Sequence, residues 1–481
     1  MIRSRLLVAV AAVLSACVDS GSDAPARTEA PPGSVVVGHR RELRGAWISS
    51  VFNGTWPSRS GLAPSIAQAE LITIFDVLQS AGMNAVFLQV RPESDALYQS
   101  TFEPWSRFLT GTQGEGPGWD PLAFAVTEGH RRGLEVHAWL NPYRARAGDG
   151  TLVPDHIARR LPDAALTYGA QLWMDPGVPA VRTHILDVVR EIVLRYDVDG
   201  IHFDDYFYPY PVKGVTFGDA RSYASYKSNG GTLARDDWRR SNVDTLVRET
   251  GELVARTKPS VRFGISPFGI YRPGTPAGIT GLDAYATLYC DPVRWMDQGW
   301  VDYVAPQLYW PTTQAPQAFG VLAEWWSGLA RGGRSVFIGH DATQAGKGAF
   351  TLVEYERQME SARGSAAGSI YFSAGPLVDD TIGLRTKLAA TYWATPAATP
   401  PLATVLSSET RPAPTLERSG AEIRVPSEGV RSIAVYKDGA LDRLVPVVGA
   451  STSVTLSAGT WAVSTLDRRG HESFGAPLTV P

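Results

Sequence analysis

A short apolar run, a loop and an amphipathic helix follow one another repeatedly along residues 41–395, and this repetition narrows the possible folds more than any other property. The apolar runs predict strands at residues 44–51, 84–90, 135–140, 199–205, 262–267, 302–310, 335–342 and 368–374. The intervening periodicity predicts helices at residues 66–81, 121–132, 179–196, 236–257, 318–331, 352–362 and 381–392. Strands alternating with helices form a parallel sheet, and eight of them favour a closed α/β TIM-type (β/α)8 barrel. No Gly-x-Gly-x-x-Gly follows the first strand, which argues against a dinucleotide fold.

The predicted strands are apolar where they begin and polar where they end. In a parallel barrel the carboxyl ends meet at one rim, where barrel enzymes carry their sites. The polar residues at these ends are Gln89, Arg91, His137, Asn141, His202, Asp204, Ser266, Gln307, Tyr309, His340 and Ser373. One polar end is often only a strand passing into a loop, but polar groups at seven of the eight ends predict a single lined pocket.

Two adjacent carboxylates, Asp204 and Asp205, end the fourth predicted strand. Side chains alternate along a strand, so His202 and Asp204 share the face opposite the apolar residues. Burying a carboxylate is costly unless it is paired or used, and glycoside hydrolysis needs two carboxyl groups, one protonated and one ionised. Asp204 is the predicted ionised member, acting as nucleophile or base. The proton donor is Asp95, Glu93 or Asp205, and the residues leave this choice open.

Amide, phenol and imidazole groups at the same rim suit the recognition of sugar hydroxyl groups. The predicted substrate-binding residues are Arg91, His137, Asn141, Tyr143, His202, Tyr206, Gln307, Tyr309 and Trp310. Other aromatic residues predict either stacking surfaces or parts of the wall and core: Trp47, Trp139, Phe207, Tyr208, Tyr210 and Tyr271. Each polar residue taken singly is equally compatible with a structural role.

A zinc site is the competing interpretation. The ligands would be three histidines and a carboxylate: His137, His202, His340 and Asp204. Metal-dependent hydrolase barrels usually carry His-x-His on the first strand, where this chain has Trp47-Ile48-Ser49, and no His-Glu-x-x-His occurs. The sequence therefore favours a site without metal or cofactor.

The amino terminus has the features of an export signal. A basic start and an apolar run at residues 6–14 lead to Leu14-Ser15-Ala16-Cys17, which resembles a bacterial lipobox. Residues 1–17 are therefore predicted to be a lipoprotein signal peptide with a lipidated Cys17, followed by a flexible tether at 18–40. The prediction is a membrane-anchored, extracytoplasmic lipoprotein of the cell envelope; an ordinary secretory signal is the alternative. If Cys17 is lipidated, Cys290 is left without a disulfide partner.

The composition changes again after the barrel. Residues 396–414 are rich in Pro, Ala, Thr and Ser and predict a linker. Residues 415–481 contain short strands and turns that predict a small β-sandwich of fibronectin or immunoglobulin type. The formal net charge of −3 argues against a nucleic-acid partner, and the oligomeric state is left open.

Seven segments occur in the order found in bacterial glycosyl-hydrolase-like family 10 proteins: RGAWISSV, NAVFLQVRPESDALY, HAWLNPYR, LWMDPG, DGIHFDDYFYP, GISPFGIYR and YVAPQLYW. This resemblance covers residues 41–392 and implies a (β/α)8 hydrolase. It points to Asp95, in the Arg-Pro-x-x-Asp-Ala-x-Tyr segment, and to Asp204 and Asp205 as the acidic positions. The family it resembles includes surface or periplasmic lipoproteins, and a characterised member cleaves peptidoglycan glycan strands stripped of their peptides.

The resemblance therefore implies a cell-envelope glycoside hydrolase acting on a polysaccharide, with peptidoglycan glycan strands as the first expectation. The alternatives are a non-catalytic glycan-binding lipoprotein and a metal-dependent hydrolase or deacetylase. The fourth strand is also similar to the Arg-x-Asp of the amylase-like clan, whose aspartate is the nucleophile. His202 stands in place of that arginine, which leaves a retaining or an inverting mechanism open.

Overall fold

The strands of the barrel lie where the apolar runs of the sequence predict them. The computed structural model describes residues 29–204, 207–406 and 410–481, so Cys17, Asp205 and Tyr206 lie outside the described residues. The strands before residue 400 are β1 (Leu43–Ile48), β2 (Ala85–Arg91), β3 (Glu135–Leu140), β4 (Arg144–Arg146), β5 (Ala165–Tyr168), β6 (Gln171–Met174), β7 (Gly200–Phe203), β8 (Arg262–Ile265), β9 (Tyr303–Val304), β10 (Ser335–Val336), β11 (Ile338–Asp341) and β12 (Gly368–Phe372).

The helices lie between these strands. They are α1 (Pro64–Ser80), α2 (Arg107–Thr110), α3 (Pro121–Arg131), α4 (Ile157–Arg160), α5 (Pro179–Arg195), α6 (Ala220–Ser228), α7 (Arg235–Thr257), α8 (Ala284–Thr287), α9 (Pro292–Gln298), α10 (Phe319–Ser327), α11 (Leu352–Ser365), α12 (Ala374–Val378) and α13 (Leu384–Ala390). In α1 the residues Leu71, Phe75 and Leu78 are buried at a spacing of three to four, which turns one face to the sheet. The Asp120 side chain caps α3 by accepting from the Ala123 N–H at 3.0 Å.

The parallel sheet closes into a barrel. Its strand order is β10-β9-β8-β7-β3-β2-β1-β12-β11. The two end members, β10 and β11, are consecutive in the chain and separated by Phe337 alone, so they are two halves of one interrupted strand. The first half pairs with β9 and the second half with β12, which joins the two edges. The predicted (β/α)8 barrel of eight strands is confirmed.

Side-chain alternation divides the barrel strands into two cores. In β1, Ala46 and Ile48 point outward and belong to the large core between sheet and helices. Trp47 points inward and packs in a second cluster inside the barrel with Phe87 and Tyr303. The interior is therefore filled by side chains, as in other barrels of this size.

One insertion interrupts the repeating pattern between β3 and α5. It forms a separate antiparallel sheet with the strand order β4-β6-β5, and β4 begins with the buried Arg144. The repeat did not predict this sheet, because its strands are only three or four residues long.

The C-terminal part forms two antiparallel sheets, which confirms the predicted β-sandwich. Its strands are β13 (Glu417–Ser419), β14 (Glu422–Pro426), β15 (Val430–Lys437), β16 (Ala440–Pro446), β17 (Ser451–Thr455), β18 (Gly459–Asp467) and β19 (Ala476–Val480). The sheet orders are β13-β14-β17 and β16-β15-β18-β19. Strand β14 alternates between exposed and buried positions, and its buried Ile423 and Val425 pack with Val435 and Val463 of the other sheet.

This domain packs under the amino ends of the barrel strands. Asp199, just before β7, accepts hydrogen bonds from Arg431 of β15 and from His130, the latter at 2.8 Å. Burial alone would raise the pKa of the Asp199 carboxyl, but Arg431 and then His130 outweigh it and hold that pKa below its ordinary range. The contact is therefore an ion pair shielded from water at the end of the barrel opposite the rim.

Parts of the predicted linker and tether take part in the same contact. Ala397 and Ala398 are buried, and the Thr399 hydroxyl donates to Glu135 of β3 at 2.6 Å. Val35, within the tether, pairs with Gly475 of the C-terminal domain. Among the described helices, none combines the length and the apolar character needed to cross a membrane.

Candidate active site

A cavity of about 590 Å³ opens at the carboxyl ends of the barrel strands. This volume falls in the range of small-molecule sites. The residues that line it are Trp47, Ser49, Val51, Phe52, Gly54, Gln89, Trp139, Arg144, Asp204, Tyr210, Ser266, Phe268, Gln307, Tyr309, Trp310 and Phe372. Five of the polar residues at the strand ends, Gln89, Asp204, Ser266, Gln307 and Tyr309, thus meet in one pocket, and much of its wall is aromatic.

Asp204 is the carboxylate of this wall among the described residues. It follows the last residue of β7, and its inward direction comes from the alternation that also turns His202 into the barrel. The residue is only 3% exposed. Trp139 of β3 donates its indole N–H to Oδ2 of Asp204 at 3.2 Å, and the Asn141 amide donates to the same oxygen.

A chain of amide groups connects Asp204 to the loop after β1. Asn141 donates to Asp204 and accepts from the Gln89 amide at 2.6 Å. The side-chain carbonyl oxygen of Gln89, Oε1, accepts from the backbone N–H groups of Ser50 and Val51 at 2.8 and 2.9 Å. Each amide therefore uses both its donor and its acceptor, so the orientation of the carboxylate depends on two neighbouring strands and a loop.

Asn141 was predicted to bind substrate directly. It does not line the cavity, and both ends of its amide are engaged with protein groups, one of which is the Asp204 carboxylate. The sequence did not predict the part played by Gln89, although its place at a strand end was a signal.

The two predicted proton donors of the β2 loop lie away from the cavity wall. Asp95 is completely buried, and its carboxyl accepts from Gln113 and from the Glu93 N–H at 3.2 and 3.1 Å. Burial, and then the nearby Glu93 carboxylate, raise the pKa of Asp95 to about 7. Glu93 itself accepts two hydrogen bonds from Arg107, each at 2.9 Å. Neither residue is brought to the cavity that Asp204 lines.

Arg91 and Tyr143 were predicted to bind substrate, but neither lines the cavity. The Arg91 guanidinium is buried and donates to Glu103 and to the Asn141 and Pro142 carbonyls. Burial alone would raise the pKa of Glu103, but Arg91 and His184 together lower it to about 2. Tyr143 is fully buried in the outer core. The pairing of β2 with β3 shifts register between Gln89 and Arg91, which interrupts the side-chain alternation along β2.

His137 and His202 were also predicted to bind substrate, and both instead fill the barrel interior below the cavity. The indole N–H of Trp47 points at Nε2 of His202 at 3.1 Å, so that nitrogen accepts. Nδ1 of His202 then donates to the Tyr303 oxygen at 3.0 Å, and the Tyr303 hydroxyl donates to Nδ1 of His137 at 3.1 Å. Nε2 of His137 donates to Glu135 at 3.1 Å. Burial, and then His137, keep the pKa of His202 well below its ordinary value, consistent with a neutral ring.

The histidines do not form the alternative zinc site. His340 is bonded to Gln358 and Ser369 at 3.1 and 3.0 Å, whereas His137 and His202 share Tyr303. Among the residues that the structure describes, no group of three or more His, Cys, Asp or Glu side chains is arranged to hold a metal ion.

Other predicted contacts do line the cavity. Gln307, Tyr309 and Trp310 are in its wall, with the Tyr309 ring stacked on Phe372 at 6.0 Å and 24°. Trp47, Trp139 and Tyr210 line it too, whereas Phe207 and Tyr208 are buried in the core and Tyr271 lies elsewhere. The wall residues that sequence reasoning did not select are Ser49, Val51, Phe52, Gly54, Arg144, Phe268 and Phe372.

Comparison with known proteins agrees with this architecture. The sequence model of the family described as glycosyl hydrolase-like 10 matches residues 42–349, most of the barrel. The chain belongs to this family. The family resemblance read from the sequence motifs is thereby confirmed.

Curated relatives carry matching names. The chain is 40% identical to "Glycosyl hydrolase YngK" of Bacillus subtilis (strain 168), over 75% of this chain and 73% of that protein. It is 36% identical to "Glycosyl hydrolase DigH" of Escherichia coli (strain K12), over 70% of this chain and 82% of that protein. Among solved structures, the glycoside hydrolase domain of PgaB (BpsB) from Bordetella bronchiseptica is 13% identical, with a TM-score of 0.49 over 73% of this chain and 98% of that domain. This structural likeness is too weak to bear on the chemistry.

Proposed function

We propose that this protein is a glycoside hydrolase of the cell envelope and that its substrate is the glycan strand of peptidoglycan. The observation that carries the proposal is the Asp204 carboxylate in an aromatic-walled cavity at the carboxyl ends of the barrel strands. Barrel enzymes place their sites at this end. Membership of the glycosyl hydrolase-like 10 family supports the reaction class.

In this proposal Asp204 is the ionised carboxylate, acting as nucleophile or base on the sugar carbon. Trp139 and Asn141 direct N–H groups at its Oδ2, and such bonds stabilise negative charge on the oxygen. We propose Asp205, the next residue in the sequence, as the proton donor to the leaving oxygen. This choice is favoured over Asp95 and Glu93 because both have buried protein partners and neither lines the cavity.

The remaining wall suits a sugar. Aromatic rings such as Trp310 and Tyr309 offer flat apolar surface for the C–H faces of a pyranose. The Gln307 amide and the Ser49 hydroxyl supply donors and acceptors for its hydroxyl groups. This combination of apolar walls with a few polar groups is typical of a specific small-molecule site.

The test is a reducing-end assay on purified peptidoglycan glycan strands freed of their peptides. Asp204→Asn is expected to reduce turnover by about 10²- to 10⁴-fold, as for the loss of an acid–base group, without lowering the melting temperature. The matched control is Asp341→Asn. Asp341 also ends a barrel strand, but its carboxylate caps the following turn through the Thr343 N–H and does not line the cavity. Equal activity in both variants would refute the role of Asp204.

A second candidate is a glycan-binding protein that does not cleave. It is favoured by one observation: among the described residues of the cavity wall, Asp204 is the one carboxylate, whereas hydrolysis needs two carboxyl groups. This alternative expects the wild-type protein to bind denuded glycan strands with no release of reducing ends. It also expects the same affinity in Asp204→Asn.

The location is proposed from the amino terminus. The sequence Leu14-Ser15-Ala16-Cys17 supports lipid attachment at Cys17 and hence a membrane anchor facing the envelope. Growth of expressing bacteria with a clickable fatty acid is expected to label the wild-type protein and not Cys17→Ser. Equal labelling of both would contradict the anchor.

A further inference from the structure

Phe52 is a large apolar side chain left in solvent at the edge of the cavity. It lines the cavity and yet is 63% exposed. It lies in the short turn Val51–Asn53, where Phe52 has φ 54° and ψ 22° and Asn53 has φ 53°. This left-handed conformation is unfavourable for a residue with a side chain and is normally left to glycine. Neither burial of the ring nor the backbone conformation at this position therefore favours a phenylalanine.

The unfavourable turn is held by bonds on both sides. Before it, the Gln89 amide oxygen accepts from the Ser50 and Val51 N–H groups. After it, the Asn53 amide donates to the Pro57 and Phe108 carbonyls at 3.0 and 2.9 Å. The backbone is therefore held on both sides of Phe52, and on one side by the same amide chain that ends at Asp204.

The ring is supported from below and accessible from above. It packs edge-to-face on Phe108, with centroids 5.8 Å apart and planes at 69°. On another side, a Cβ added at Gly148 would lie 3.6 Å from the ring, which is ordinary contact distance. Residues of two loops thus lie against the ring, and its high exposure leaves apolar area for a ligand.

We propose that Phe52 is a stacking platform for a sugar unit outside the cavity, so that the protein prefers long glycan strands to short ones. This proposal rests on the proposed function, since it extends the same site. A pyranose presents an apolar C–H face, and a fixed aromatic ring binds such a face at little conformational cost. A short ligand occupies only the inner part of the cavity, whereas a longer strand also passes over Phe52 at its edge.

The experiment measures affinity by calorimetry in the Asp204→Asn protein, to avoid turnover, with denuded glycan oligosaccharides from a disaccharide to an octasaccharide. Adding Phe52→Ala is expected to lower the ratio of long-chain to short-chain affinity by about two- to tenfold. Phe52→Trp is expected to restore the ratio. The matched control is Phe102→Ala, because Phe102 is also an exposed phenylalanine, 36% accessible, but does not line the cavity.

The outcomes separate the two proposals. If the Asp204→Asn protein binds long strands better than short ones and Phe52→Ala keeps the same ratio, the platform is refuted and the proposed function stands. If the wild-type protein neither cleaves nor binds denuded glycan of any length, both proposals are refuted. Thermal melting of each variant checks that a changed ratio is not the result of unfolding.

Discussion

Asn141 offers a direct test of how the barrel sets the chemistry of Asp204. Its amide bridges the Gln89 amide, 2.6 Å away, and the Asp204 carboxylate, and it is completely buried. Asn141→Ala removes one N–H donor from Oδ2 of Asp204 and leaves the Gln89 Nε2 group without its acceptor. The variant therefore perturbs the carboxylate without altering any residue that lines the cavity.

The magnitude follows from the two lost bonds. A hydrogen bond to a charged group contributes about 1.5–3 kcal/mol, and one unit of pKa corresponds to about 1.4 kcal/mol. Losing a donor to the ionised form makes protonation of Asp204 easier. The acid side of the pH–rate profile should therefore move to higher pH, by about one to two pH units. The buried Gln89 donor adds a loss of about 1–3 kcal/mol in the free energy of unfolding.

The assay is the pH dependence of kcat/KM on denuded glycan strands, together with urea unfolding. The control is Asn84→Ala, at the opposite end of the same barrel, where the amide accepts from the Arg44 N–H at 2.8 Å and donates to the Glu42 and Ala397 carbonyls. This variant should lose comparable stability and keep the wild-type pH profile. If Asn141→Ala lowers kcat/KM equally at every pH, Asn141 does not stabilise the charged form of Asp204 and the reasoning is wrong.

Three further predictions concern stability. Phe52→Gly should be about 1 kcal/mol more stable than Phe52→Ala, since glycine relieves the left-handed backbone; equal urea midpoints would contradict this. Arg431→Ala should lower the free energy of unfolding by roughly 3–5 kcal/mol, because it leaves Asp199 buried without its main partner. Because the pKa of Asp199 is depressed in the folded wild-type protein, the stabilisation by its ion pair is lost as the pH falls below about 4. The free energy of unfolding of Arg431→Ala should therefore depend less on pH in that range than that of the wild type. Arg91→Met should lower the free energy of unfolding by roughly 3 kcal/mol, because the buried Glu103 keeps His184 but loses the guanidinium that pairs with it; a folded variant with wild-type stability and only a raised KM would instead indicate that Arg91 contacts the sugar.

Most of the fold could be predicted because its signals are local and repeated. The apolar run at residues 135–140 coincides with β3 (Glu135–Leu140), since it is bounded by a turn at Gly133 and by Asn141-Pro142. The run at 302–310 predicted a long strand, but β9 ends at Val304 because Pro306 has no N–H for the ladder. Pattern therefore identifies the strands reliably, whereas their ends depend on backbone chemistry and on neighbours.

The site could be predicted only in part, because alternation indicates which face a side chain takes and not how deep it lies. Gly200, His202 and Asp204 share the inward face of β7, yet only Asp204 reaches the cavity. The sequence assigned His202 to the cavity because it shares that face with Asp204. Depth depends on the relative heights of all eight strands, which no single segment encodes.

Two glycines that face the barrel interior leave room for the rings that lie below the cavity. A Cβ at Gly200 would lie 2.2 Å from Nδ1 of His137, and one at Gly264 would lie 2.1 Å from the Tyr303 ring. The two rings occupy the space that these side chains would need, and there they bond to each other. Tyr303 in turn holds His202, which accepts from the Trp47 indole in the cavity floor. The position of Trp47 in the cavity wall thus depends on glycines in two other strands, β7 and β8. The site could therefore be located only in the assembled barrel.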